Sequence, residues 1–512
     1  MIALVVLGGT GVVSSIGLAA VNVVLADLTE QLGATTADLQ WVVNAYTLVF
    51  ALGLMAASAM GDRYGARRVL RIGLVISIVG SVGAAFSPTT AWLIGCRALM
   101  GLGAATVTPT SLAIVTELFP SPKERARAFG VWAGVGSLGL AIGPVVGGTL
   151  LDHFWWGSAF LAGAPVLLVI LAATWIVLPR SAPPTEVPLD WQGAALATAG
   201  LGLVVWAIIQ GPVRGWTDPT LLGAGIVAVA LLATFAAWER HTAQPMLDLT
   251  HLRRRTVALP LLSAAMTSFA LAGMLLGVSL LYRSVFGYSP LRTGLALVPL
   301  SLIMALTSAL GPRLSDRVGT DKALAASLLT VSLGCVLLAG THPASGSLAV
   351  IVATSVLGAG FGLGVAPATT SVIASFPPDR AGVGSGVTST LRQTGFLLGV
   401  AVLGSVLSTV YRSDVGQAAI GAGLRPSDVQ TAKDSVAGAL RLSTTVGDEA
   451  ALTLRRAALD AFTHGLRAAA IGGAIAAALT GLVALVPRRR GRVPLVLTAD
   501  PASVAPLTVT ID

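Results

Sequence analysis

Charge is what this sequence has least of. Only 11% of its 512 residues are Asp, Glu, Lys or Arg, and lysine occurs just three times, as Lys123, Lys322 and Lys433. A soluble domain carries about 25% charged residues, so a chain of this length dissolved in water is excluded. Cysteine is nearly absent too. Cys96 and Cys335 both lie inside apolar runs, which excludes a disulfide framework or a cysteine-based metal site. His153, His241, His251, His342 and His464 lie in or near loops without metal-ligand spacing. There is no glycine-rich phosphate loop, so no cofactor, metal or ATP-driven chemistry is expected, and the chain is not expected to be an enzyme. No basic segment precedes the first apolar run, so a cleaved signal peptide is not expected. The 23 acidic residues fall in loops or at the ends of apolar runs, leaving no carboxylate near the middle of one.

What is there is apolar and small. Hydrophobic residues make up 54% of the chain, with 59 glycines. The apolar residues come in blocks of about 20, the length a helix needs to cross roughly 30 Å of hydrocarbon. Continuous blocks exclude a β-barrel, whose strands alternate over about ten residues. Abundant glycine suits helices that pack closely in lipid. The fold class expected is an all-α polytopic membrane protein. Fourteen spans are expected, near 2–26, 40–60, 69–88, 91–115, 128–151, 158–178, 192–210, 220–238, 257–282, 293–312, 323–340, 347–375, 384–410 and 465–487.

The net charge of +9 resides in loops. Arg63, Arg67, Arg68 and Arg71 follow the second span, Arg253 to Arg255 the eighth, and Arg488 to Arg490 the last. All fall on one side, so the positive-inside rule puts that side and both termini in the cytoplasm of a bacterial inner membrane. Basic loops of this kind explain the charge without nucleic acid. The partners expected are the bilayer, a small-molecule substrate and protons, and the chain is expected to be monomeric. The divisions expected are a six-helix half at 1–180, a linker with two extra spans at 181–256, a second half at 257–487 and a cytoplasmic tail at 488–512. The second half holds an external segment, 412–464, where a helical hairpin is expected from two short helices starting near Ser427 and Asp448. A repeat links the halves. Gly61-Asp62-Arg63-Tyr64-Gly65 closes span 2, and Ser315-Asp316-Arg317-Val318-Gly319 closes span 10.

Here a resemblance becomes visible. The segment from Gly61, Asp62, Arg63 and Gly65 to Arg67 and Arg68 resembles the loop 2–3 signature of the major facilitator superfamily. Span 5 carries Gly139, Gly143, Pro144, Gly147 and Gly148, in a spacing similar to that superfamily's antiporter signature. Arg97 sits where the span 4 signature has its arginine, although Met100 stands where Gln is usual. Together with the long loop before the last span, these features resemble fourteen-span drug:proton antiporters of the EmrB/QacA type. The resemblance implies two six-helix halves plus two central helices, and proton-driven efflux of drugs or secondary metabolites. It also implies a gate latch at Asp62 and its neighbours, with a second copy at Asp316, Arg317 and Gly319, and proton coupling through Arg97. The positions it implies for the cavity are Gly17, Asn22, Trp41, Asn44, Met304, Thr388 and Arg392. Gly17 replaces the family's span 1 Asp, and the other acid positions are also neutral. The cargo is therefore expected to be neutral or anionic. A transporter-like sensor or scaffold without transport, and an importer, are the competing functions.

Overall fold

The computed structural model describes residues 2–119, 121–178, 190–242, 254–342, 346–376, 381–444 and 448–486. The basic residues at 488–490 and the linker at 180–189 lie outside them. Among the described residues the secondary structure is helical throughout. The first half runs α1 (Ile2–Gln31), α2 (Thr36–Tyr64), α3 (Ala66–Ala85), α4 (Thr90–Leu118), α5 (Pro122–His153), the single turn α6 (Ser158–Leu161) and α7 (Gly163–Val177). Next come α8 (Trp191–Arg214) and α9 (Pro219–His241). The second half runs α10 (Arg255–Leu280), a π turn (Leu281–Val285), α11 (Pro290–Ser308), α12 (Gly311–Val318), α13 (Thr320–Ala339), α14 (Gly346–Ile373), α15 (Ala381–Gly421), the short α16 (Pro426–Asp434) and α17 (Val436–Leu442), and α18 (Asp448–Leu485).

Twelve of these are long and apolar enough to cross a membrane, and α1, bent by 41° near its middle, makes a thirteenth. This is a multi-span membrane protein. The count among the described residues is twelve to thirteen, so the expectation of fourteen is met only in part.

The neighbour relations repeat between the halves. In the first half α1 packs on α5, α2 and α3 on α4, and α3 on α7; in the second α10 packs on α15, α11 and α13 on α14, and α13 on α18. Each of these relations in one half has its counterpart in the other. The halves meet along two equivalent seams, α5 with α11 and α2 with α15. The pair α8–α9 stands outside this arrangement, with α8 against α2 and α15. Ser405 donates to the Ile208 carbonyl at 2.8 Å and ties α15 to α8.

The sequence repeat proves to be a repeated turn. Gly65 between α2 and α3 has φ +89°, and Gly319 between α12 and α13 has φ +87°. A side chain there would clash with the backbone, so glycine closes both loops. The expected hairpin takes a different form. The helix expected near Ser427 is present as α16, and α17 follows it after a break at Ser435. The helix expected at Asp448 is not a separate element, because α18 runs unbroken from Asp448 to Leu485. Likewise α15 continues to Gly421. A helix whose hydrogen bonds are satisfied internally continues from water into lipid without a local stop signal, so composition placed those boundaries too close to the apolar block.

Candidate functional site

Both seams are close-packed at the end that carries α16 and α17, here called the hairpin end. A Cβ on Gly148 of α5 would sit 2.6 Å from the Pro290 carbonyl oxygen of α11. A Cβ on Gly294 of α11 would overlap the Pro144 carbonyl. Backbone therefore meets backbone across the seam, which only glycine permits. Pro144 lies inside α5 and removes a backbone donor at this crossing. On the other seam the Gln40 amide of α2 presses on Gly404 of α15; farther from the hairpin end, Thr390 donates to the Ala51 carbonyl at 3.3 Å.

Polar contacts reinforce the same end. Asp27 of α1 and Arg283 of the π turn form a 2.9 Å ion pair between the halves. Arg283 also donates to the Tyr288 carbonyl at 3.0 Å, and the Tyr282 and Tyr288 rings stack beside it at 5.5 Å. Ser279 donates to the Asn22 carbonyl. The short helices add ties of their own. Arg441 donates to the Thr29 and Glu30 carbonyls at 3.0 and 3.3 Å, satisfying acceptors left open at the end of α1. Thr36 donates to the Asp434 carbonyl at 3.3 Å. Asp434 in turn pairs with Arg412 of α15 at 3.0 Å, and Tyr411 donates to the Ala432 carbonyl at 2.8 Å. The hairpin thus springs from the second half and grips the first. The molecule is closed at this end.

Arg97 lies deeper, on α4, with no exposed surface. Its Nε donates to the Val42 carbonyl at 2.9 Å. Its guanidinium lies 4.5 Å from the Tyr46 ring centroid and 5.9 Å from that of Phe160. Neither Nη has a hydrogen-bond partner. Asn44, also fully buried, has no partner for either amide atom, and Gln40 none for its nitrogen. Three side chains on α2 and α4 therefore carry buried polar atoms without a partner. An unpaired buried donor costs about 1–3 kcal/mol, more for a charge, so these residues are poorly explained by stability alone.

The other residues singled out from sequence are dispersed. Gly17 is half-buried on α1, where an added Cβ would lie 4.0 Å from the Met100 side chain. Asn22 is half-buried on the same helix. Trp41 packs with Leu48, Val205 and Leu397, beside α8 and α15. Met304 is half-buried against the main core. Thr388 is buried and donates to the Gly384 carbonyl at 2.8 Å. Arg392 is half-buried on α15. At the basic end, the Asp62 side chain lies outside the described residues. Gly61 sits against Thr110, and Arg63 and Arg68 are exposed. Arg67 donates to the Trp175 carbonyl at 3.0 Å. Asp316 and Arg317 are exposed, with no ion pair between them among the described residues. In α5, Gly139 packs on the Val12 backbone of α1, and Gly143 and Gly147 are buried.

Two features escaped the reading of the sequence. Arg283 is a lone arginine ending an otherwise apolar run from residue 256. An intramembrane charge of that kind is itself a signal. Arg71 stacks on Trp175 at 3.5 Å and donates to Thr174, anchoring α3 to α7.

Comparison with known proteins agrees with this geometry. The family model described as Major Facilitator Superfamily matches residues 7–400. The multidrug resistance protein Stp of Mycobacterium tuberculosis is 36% identical over 388 residues, covering 76% of this chain and 72% of that protein. The methyl viologen resistance protein SmvA of Salmonella typhimurium is 29% identical over 446 residues, covering 86% and 88%. Among solved structures, a bacterial homologue of the human lysosomal transporter Spinster, inward-facing and occupied, matches with a TM-score of 0.64 at 17% identity. It covers 94% of this chain and 96% of that one.

Proposed function

Because the chain belongs to the Major Facilitator Superfamily, we propose that it exports drugs or secondary metabolites by alternating access, driven by the proton gradient. The hairpin end faces outside, the basic end and both termini lie in the cytoplasm, and the chain works as a monomer with fourteen spans. The fourteenth span is α5, whose 32 residues extend roughly 48 Å at 1.5 Å per residue. The observation that carries the reading is the glycine-to-backbone crossing of α5 and α11 at Gly148 and Gly294. It supports the reading because the antiporter-like segment lies against the other half, on a seam about which alternating access would rock the halves. With the hairpin end shut, this conformation is not outward-facing. In it the exposed, unpaired Asp316 and Arg317 fit a latch that engages only in the outward-facing state. The similarity of this chain to relatives named for multidrug and methyl viologen resistance favours export over import or sensing.

The cargo is neutral or anionic. Gly17, Asn44, Met304 and Thr388 offer no carboxylate to a desolvated cation, whereas Arg97 offers two unsatisfied donors. Gln40, Asn44 and Arg97 are the recognition residues, with Gln40 reached when the α2–α15 seam opens. The name of SmvA points to a dication as that protein's compound, so methyl viologen is the discriminating probe for this chain.

Two experiments test the proposal. Cysteines introduced at Ser413 and Ser443 should label from outside in intact cells, and one at Ser503 should not. Reversal of that pattern would invert the orientation. Uptake of a compound into inverted vesicles on imposing a gradient, abolished by a protonophore, tests export; a panel without any such uptake would favour a scaffold role.

A further inference from the structure

A cavity of about 400 Å³ lies beneath the hairpin. Three parts of the chain enclose it at once. Thr29 and Glu30 come from α1, Arg283 and Tyr411 from the second half, and Leu440 and Arg441 from α17. Its size is that of a site for a drug-sized molecule. Tyr411, Leu440 and Phe462 supply apolar wall. Two guanidinium groups line it against one carboxylate, Glu30. Arg283 spends its two terminal nitrogens on Asp27 and on the Tyr288 carbonyl. Arg441 donates only to carbonyls and to no carboxylate among the described residues. The cavity therefore couples an aromatic and aliphatic surface to a guanidinium whose charge no ion pair offsets.

We propose that this cavity binds a small amphipathic molecule, with a ring body and an acidic or strongly accepting group, and that its occupancy holds the hairpin end shut. The proposal rests on the alternating-access reading above but concerns a different site from Gln40, Asn44 and Arg97. The walls belong to both halves and to the hairpin, so they converge only while that end is closed. A ligand touching all three binds the closed state better than the open one, and it shifts the equilibrium by that difference in affinity. Molecules of this kind accumulating outside would slow the outward opening on which their own release depends.

The test reads the gate and not transport. Ser289 Oγ and the Asp152 carboxylate lie 3.3 Å apart across the halves. Cysteines are introduced at both positions in a chain carrying Cys96→Ala and Cys335→Ala, reconstituted right-side-out. The rate of disulfide formation under a mild external oxidant then reports closure. External 8-anilinonaphthalene-1-sulfonate, a two-ring anion, should raise that rate at least threefold and saturably. Ethidium, a ring cation, should not. Leu440→Trp, which fills the cavity, should abolish the response. Thr444→Trp at its exposed rim should do the same, and guards against misfolding of the first variant. No saturable rise, an equal rise with ethidium, or a rise undiminished in both tryptophan variants would overturn the proposal. Absence of export in the vesicle assay would defeat the exporter reading and leave this result standing.

Discussion

Asp27 and Arg283 stand 256 residues apart in sequence and 2.9 Å apart in space, joining the end of α1 to the π turn that closes α10. No other ion pair among the described residues links the two halves. The second carboxylate oxygen of Asp27 is buried without a partner, so the pair sits in a place poorly supplied with alternatives.

Breaking that pair should open the hairpin end. A hydrogen bond to a charged group is worth about 1.5–3 kcal/mol, so Asp27→Asn should shift the closed–open equilibrium by roughly tenfold or more if the bond exists only in the closed state. Electron-electron distance measurements between labels at Asp152 and Ser289 would show the longer separation gaining population. The reversed pair, Asp27→Arg with Arg283→Asp, should restore part of the short distance. An unchanged distribution in Asp27→Asn would show that the glycine seams alone close this end.

Gly148→Val should be more severe for function than for insertion. The added side chain meets the Pro290 carbonyl oxygen and the Leu291 backbone, and overpacking of this kind costs about 1–3 kcal/mol. Membrane yield should stay near normal while transport falls strongly and the closed state is depleted. Normal transport would mean that the α5–α11 seam is not used in the cycle.

How much of this was legible beforehand differs by feature. The spans were, because a run of about 20 apolar residues has few other uses. The repeat was, because Gly65 and Gly319 serve the same left-handed turn. The closure was not. Arg283 pairs with an aspartate in the other half, and nothing local to either residue encodes a partner so distant. Gln40 against Gly404 is hidden in the same way, since a glycine in a glycine-rich chain does not announce what it touches. Trp41 was placed at the cavity through resemblance, and its ring packs beside α8 and α15. α8 packs against that part of α2, and the resemblance alone does not say which face it covers.

Asp62→Asn should cut transport at least tenfold with expression near normal, and Asp316→Asn should do less. The first-half loop adds Arg67 and Arg68 to the shared Asp-Arg pair, and the second-half loop has no such arginine pair. Equal and negligible effects, measured as drug accumulation in energised cells, would show that both loops serve topology only.

Arg97→Met should separate stability from function. Arg97 carries a buried charge with no ionic partner among the described residues, so an apolar side chain of similar length removes a desolvation cost and leaves no partner charge unpaired. Thermal unfolding of the purified variant should therefore occur at the same or a higher temperature, while transport is lost. A clear drop in unfolding temperature would mean that Arg97 is held for structure.

Cargo charge bears most directly on the account. Initial rates of uptake into inverted vesicles under an imposed, acid-inside gradient should be compared for methyl viologen, ethidium and a set of neutral and acidic antibiotics. The account predicts protonophore-sensitive uptake of a neutral or acidic compound, with methyl viologen at least tenfold slower. It further predicts that Gly17→Asp, by returning a carboxylate to α1, narrows that gap. Rapid methyl viologen uptake by the unaltered chain, unaffected by Arg97→Met, would contradict it.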